Sequence, residues 1–248
     1  MNLLLLDADE VDDAGRAWIG GRRAEHLRRV LRVRPGQRLR GGIVRGSMAT
    51  LTVETIRDDD TIRLRVEAQD ATPSEPPALD LIVALPRPQV LHRVLQFAAA
   101  MGVRQLDLIA AWRVEKSYFQ SPSLRPESIA RHLRLGAEQG ATTWIPEVAV
   151  HRRFGPFLPT LATRAHAFRV LAHPQAPSLE SVLPIDLGAD TPLAVAIGPE
   201  GGLIDREVRS LVDVGFARAS LGPWVLRVEA ALVAVLAQTA LLRRMARE

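Results

Sequence analysis

The sequence predicts a two-domain α/β protein, in which a small, mainly β unit precedes a mostly parallel sheet with helices on both faces. Three observations carry that prediction. Before residue 70, apolar and polar residues alternate in short runs; after residue 78, short continuous apolar runs alternate with helical stretches. Between them, 71–78 holds Pro73, Pro76 and Pro77, which cannot donate to a strand ladder and keep a chain extended. The expected organisation is therefore a β domain over 1–70, a linker over 71–78 and an α/β domain over 79–248.

The first unit has helical apolar spacing over 24–31, broken at Arg34-Pro35-Gly36. Runs 38–44, 49–56 and 61–66 then read as strands. Around Leu51, Val53, Ile62 and Leu64 the period is two, as in a sheet with one wet face. Beyond the linker, strands are expected at 79–84, 105–110, 145–150, 168–172, 193–197 and 217–221. Helices are expected over 90–101 and from Pro126 to 139, proline being favoured in a first turn. Asp205 is expected to cap a helix that runs through Val214 and stops at Gly215. A last helix covers 229–245; its stripe of Leu232, Val235, Leu236, Thr239 and Leu242 is either core or a dimer face.

Composition narrows the function classes. The chain has 248 residues, 47% of them hydrophobic, enough for a core without covalent staples. It has no cysteine, which excludes disulfide frameworks, thiolate zinc sites and iron-sulfur clusters. The six histidines lack metal-ligand spacing, so no metal is expected. Met1 to Leu6 is too short and too soon followed by acids for a secretory signal, and no run approaches a membrane span. The protein reads as cytoplasmic. Net charge is +4, carried almost wholly by arginine, with Lys116 the sole lysine. Genome composition is one source of that bias. The crowding of Arg22, Arg23, Arg28, Arg29, Arg32, Arg34, Arg38, Arg40 and Arg45 into the first fifth of the chain nevertheless suits a polyanion, because guanidinium forks match phosphate.

Ligands of open α/β sheets bind beyond the carboxyl ends of the strands, so the loops there are the place to look. Two stand out. Ile197-Gly198-Pro199-Glu200-Gly201-Gly202 turns sharply and lets a ligand approach bare backbone, although an ordinary tight turn has the same composition. Leu221-Gly222-Pro223-Trp224-Val225-Leu226-Arg227-Val228-Glu229 joins the last strand to the last helix, where an acidic residue also suits the helix dipole. There is no dinucleotide fingerprint, no phosphate-binding Gly-Lys-Ser/Thr loop and no Gly-x-Ser-x-Gly elbow.

Taken together and in order, Gly198-Pro199-Glu200-Gly201-Gly202, Leu221-Gly222-Pro223 and Leu226-Arg227 with Glu229 resemble the C-terminal signature of the RsmE family of ribosomal RNA methyltransferases, of the SPOUT superfamily. His26-Leu27-Arg28-Arg29-Val30-Leu31-Arg32 with Gly36 is similar to the start of that family's PUA-like domain. Leu85-Pro86, Gly102-Val103, Ala137-Glu138-Gln139 and Ile145-Pro146 resemble its central landmarks. The resemblance implies a trefoil-knotted SPOUT domain behind a small PUA-like β-barrel, a homodimer, and S-adenosylmethionine as cofactor. It also implies methylation of N3 of a uridine in small-subunit (16S) ribosomal RNA.

The cofactor shell implied is Leu171 and His173, then Ile197, Gly198, Pro199, Glu200 and Gly201, then Leu221, Gly222, Val225 and Leu226. Arg227 would stabilise the uracil anion, with Glu229 or Glu200 as base or as the group that holds Arg227. RNA contacts fall to Arg22, Arg28, Arg29, Arg32 and Lys116. The chain departs from the family at Val228 and Ala230, where threonines are usual, and at Trp224, Leu135-Gly136 and Thr142. The lost hydroxyls leave a second reading open, a non-catalytic RNA-binding or ribosome-assembly protein on the same scaffold.

Overall fold

The computed structural model describes residues 2–68, 78–185 and 187–246. The chain divides into two compact units, Met1–Glu75 with Arg134–Ile145, and Pro76–Leu133 with Pro146–Glu248. All of the expected linker except Ala78 lies outside the described residues.

The first unit contains β1 (Leu4–Leu6), β2 (Arg16–Ile19), α1 (Gly21–Arg29), β3 (Arg38–Ile43), β4 (Met48–Ile56) and β5 (Ile62–Ala68). They form one five-stranded sheet in the order β1-β3-β4-β5-β2, with β1 parallel to β3 and the other pairs antiparallel. The period-two runs do what their spacing demands: Leu51, Val53, Ile62 and Leu64 point inward with Leu4, Leu6, Ile19 and Leu27. Each such aliphatic contributes about 1.5–3 kcal/mol by leaving water. β1 and β2 have no expected counterpart. They are short, and only pairing with distant β3 and β5 makes them strands.

The second unit contains β6 (Leu79–Ala84), α2 (Pro88–Ala100), β7 (Gln105–Ile109), α3 (Pro126–Gly140), β8 (Glu147–His151) and α4 (Phe154–Ala162). It continues with β9 (Phe168–Ala172), α5 (Leu179–Val182), β10 (Leu193–Ile197), α6 (Asp205–Asp213), β11 (Ala217–Ala219) and α7 (Val228–Met245). Its sheet has six strands in the order β11-β9-β10-β6-β7-β8, every pair parallel. All residues of β6 and β10 are buried, so both faces of the sheet centre are covered, as continuous apolar strands require. α4 has no expected counterpart because Pro156 and Pro159 argue against a helix in the sequence. Asp205 is the first helical residue of α6 and not its cap: the cap is Ile204, whose N–H is taken by the Glu207 carboxylate at 3.1 Å.

The last turns of α3 and the turn after it group with the first sheet, an excursion that a split at 71–78 does not contain. Glu138 is its anchor. The side chain, 2% exposed, accepts from Arg22 at 3.0 Å, and its carbonyl accepts the N–H of Asn2 and of Leu3 at 3.1 Å each.

On one face of the second sheet two buried aspartates gather partners. Asp80 receives Arg104 Nε and Nη2 at 2.8 and 2.7 Å and lies 2.8 Å from His166 Nε2. Asp107 is bonded to Arg164 and lies 2.6 Å from His151 Nε2. Burial, the largest single influence on Asp80, pushes its carboxyl up, but the bonds from His166 and Arg104 outweigh it and hold the group below its ordinary range. These histidines serve structure.

Candidate active-site cleft

Parallel strands β9, β10 and β11 end side by side, and the loops that leave them enclose a cleft of about 310 Å³. The loop after β10 turns back on itself through a hydrogen bond from Gly202 N–H to Pro199 O at 2.8 Å. That turn needs a φ of +75° at Gly202, a backbone state from which a side chain is largely barred. In the loop after β11, Ser220 Oγ donates to Gly222 O at 2.9 Å, and Gln238 of α7 donates to Leu221 O at 3.1 Å. Gly222, at φ +136°, again takes a conformation open to glycine. From β9, the His173 N–H is bonded to Ala219 O at 2.9 Å, which stitches the third loop to the second.

Of the residues expected to hold a cofactor, His173, Ile197, Gly198, Pro199, Glu200, Leu221, Gly222, Val225 and Leu226 line this cleft. Two do not. Leu171 is fully buried inside β9, and Gly201 turns away to accept a hydrogen bond from Arg113. Residues that the motif reading missed complete the lining, among them Ala172, Leu203, Trp224 and Ala231. Trp224 and Val225 are left 79% and 87% exposed at its lip.

The acid–base candidates are spread apart. Glu200 lines the cleft and accepts the Arg87 N–H at 3.2 Å, at the start of α2. Glu229, on the first turn of α7, is largely buried and faces Arg93 of α2 at 3.6 Å. Arg227 is exposed as the N-cap of α7 and lies beside the lining residues Leu226 and Val228. Neither carboxylate is bonded to Arg227 among the described residues, so the expectation that one of them holds it has no counterpart here.

Two further residues, invisible as a motif, tie the glycine turn and α6 to the loop after β7: Arg113 in that loop and Glu207 on α6. Arg113 donates to Gly201 O, and the buried Glu207 carboxylate accepts the N–H of Trp112 at 2.7 Å as well as that of Ile204. The one available signal is a glutamate three residues after a helix N-cap, a position from which the side chain folds back on the backbone.

The expected RNA contacts are positioned as follows. Arg28 is paired with Asp60 and Arg29 with Glu25 at the surface, Arg22 is tied to buried Glu138, Arg32 is exposed, and Lys116 is exposed in the other unit. Exposed pairs of this kind are weak, about 0–1 kcal/mol, and yield to phosphate. Among the described residues no group of three or more His, Asp or Glu is arranged to hold a metal ion, and no helix is long and apolar enough to cross a membrane.

A family model for an RNA methyltransferase domain matches residues 73–240, which include the whole second sheet and every loop of the cleft. The chain belongs to the RNA methyltransferase domain family. Outside the matched segment the likeness persists. The chain is 27% identical over 247 residues to the ribosomal RNA small subunit methyltransferase E of Mycobacterium bovis, covering 95% of this chain and 90% of the relative. It is 25% identical over 245 residues to the protein of that name from Treponema pallidum, covering 96% and 90%. Among solved structures, the ribosomal RNA small subunit methyltransferase E of Neisseria gonorrhoeae bound to S-adenosyl methionine superposes with a TM-score of 0.78 at 20% identity, over 98% of both chains. The resemblance first read from two loops of this RNA methyltransferase domain thus extends along nearly all of the chain.

Proposed function

We propose that the protein transfers the methyl group of S-adenosylmethionine to N3 of a uridine in small-subunit ribosomal RNA, with the donor held in the cleft beyond β9, β10 and β11. One observation carries this reading: the glycine-containing loops that leave β10 and β11, the two strands flanking β9, line one cleft together. Relatives named for small-subunit ribosomal RNA methylation, and a solved relative bound to the donor, support it.

The lining suits such a ligand. Backbone of 197–200 and of Leu221 and Gly222 would meet the polar edges of an adenine, Val225 and Leu226 would offer apolar faces, and Leu171 and His173 would support the shell from β9 and its end. S-adenosylmethionine supplies a methyl on a sulfonium sulfur. N3 of uracil attacks only after losing its proton, so the protein must accept that proton and stabilise the charge left on the uracil oxygens. Arg227 takes the second task. Glu200 is better placed than Glu229 for the first, because it lines the cleft while Glu229 is turned to Arg93.

A trefoil knot is part of this reading; the late insertion of β10 between β9 and β6 supports it. The five-stranded sheet of the first unit supports a PUA-like barrel that docks RNA through Arg22, Arg28, Arg29 and Arg32, with Lys116 as a contact from the second unit. Exposed Leu241 and Met245 on α7, with Trp224 and Val225, support a second copy as partner in a homodimer. The substrate puts the protein in the cytoplasm.

Small-subunit ribosomal RNA incubated with the protein and methyl-labelled donor, then digested to nucleosides, is expected to yield N3-methyluridine by mass. Label on another base overturns the assigned nucleotide. Calorimetry that finds tight RNA binding but no uptake of the donor or its demethylated product favours the non-catalytic scaffold.

A further inference from the structure

Beyond the carboxyl ends of β7 and β8 the same sheet carries a second cavity, of about 470 Å³, whose lining is distinct from that of the cleft. Ala110, Ala111 and Val114 form its apolar part, and aromatic rings come from Trp112, Phe119 and Phe154. Lys116, Arg152 and Arg153 bring three positive charges. The Arg152 guanidinium lies 5.6 Å from the Phe119 ring centre and donates to the Phe119 carbonyl at 3.2 Å. Glu207 is the one carboxylate in the lining, and backbone N–H groups occupy both of its oxygens. The cavity is therefore biased toward anions.

Trp112 is the telling residue. Its indole is 79% exposed beside these cations, so it contributes little to the core while offering a flat face to a base. Its neighbour Arg113 holds the glycine turn of the cleft through Gly201 O, and β7 lies two strands from β10, about 10 Å at ordinary strand spacing. A strand of RNA only a few nucleotides long reaches from one cavity to the other.

We propose that this cavity is a second nucleotide subsite, which takes an unpaired base flanking the methylated uridine, stacked on Trp112, with the adjoining phosphates held by Lys116, Arg152 and Arg153. The proposal rests on the reading that the protein methylates RNA and adds how the strand is gripped next to the target.

Fluorescence anisotropy with a short labelled oligouridylate tests it, with calorimetric uptake of S-adenosylmethionine measured on the same preparations. Trp112→Ala should weaken oligonucleotide binding about tenfold without changing its salt dependence, since base stacking on an aromatic ring is of that size and uncharged. Trp112→Phe should restore most of the loss. Arg152→Gln with Arg153→Gln should lower the salt slope by about 1.4, at about 0.7 per phosphate contact on a single strand. All variants should take up the methyl donor as the unaltered protein does. Unchanged affinity and slope in the variants, or no oligouridylate binding by the unaltered protein, overturns the subsite. In either case donor uptake and methylation of ribosomal RNA by the same preparation leave the first reading standing, whereas loss of those two removes the first reading itself.

Discussion

Asp80 and Asp107, on one face of the second sheet, are fully buried with every carboxylate oxygen bonded, whereas the loops at the carboxyl ends of that sheet leave Trp112, Trp224 and Val225 largely in water. The first region saturates its two carboxylates, and a buried charge that lost its partner there would be costly. The second leaves indole faces and glycine-bounded backbone available, which costs some burial and gives a ligand something to hold. One sheet thus separates the residues that keep it folded from those left open to a ligand.

The largest effect should come from the saturated region. Asp107→Ala leaves Arg164 and His151 without their carboxylate and should cost about 3–5 kcal/mol of stability in urea unfolding. A loss under about 1 kcal/mol would mean that the network relaxes freely. Arg227→Ala belongs to the opposite class: turnover should fall by about 10²- to 10³-fold while donor affinity and melting temperature hold. Unchanged turnover removes its role. Gly222→Ala joins the two behaviours, since a side chain at φ +136° strains the loop by about 1–2 kcal/mol and should also weaken donor binding.

Acid should separate the regions too. The Asp80 carboxyl is held below its unfolded value of 3.8, so its stabilisation is complete above that value and is lost as pH falls through the lower, folded one. Stability measured between pH 5 and 2 should therefore decline less steeply in Asp80→Asn than in the unaltered protein, from a lower starting point. An identical acid limb would show that Asp80 does not contribute to it. The smallest effect is expected at the surface of the first unit. Arg28→Ala with Arg29→Ala should change stability by less than about 0.5 kcal/mol. The same pair should reduce the salt dependence of RNA binding, and an identical slope would mean that these side chains touch no phosphate.

Much of this molecule is written locally in its sequence. Leu51, Val53, Ile62 and Leu64 disclose β4 and β5 because period two is a property of a strand alone, and the apolar runs of β6 and β10 disclose a covered parallel sheet for the same reason. The two glycine loops are legible because their backbone states admit few other residues, which is why so much of the cleft lining falls on them. Other features depend on partners far along the chain. β1 and β2 are strands only through β3 and β5, Glu138 is buried only because Asn2, Leu3 and Arg22 meet it, and Glu229 turns to Arg93 of α2 and not to Arg227 two residues away. The brace from Arg113 and Glu207, and the cavity around Trp112, likewise arise where separate loops converge at one edge of a sheet. Backbone preference is set by each residue and its neighbours, but an ion pair, a shared cavity or an edge-strand pairing is set by distance in space, which the folded chain alone decides.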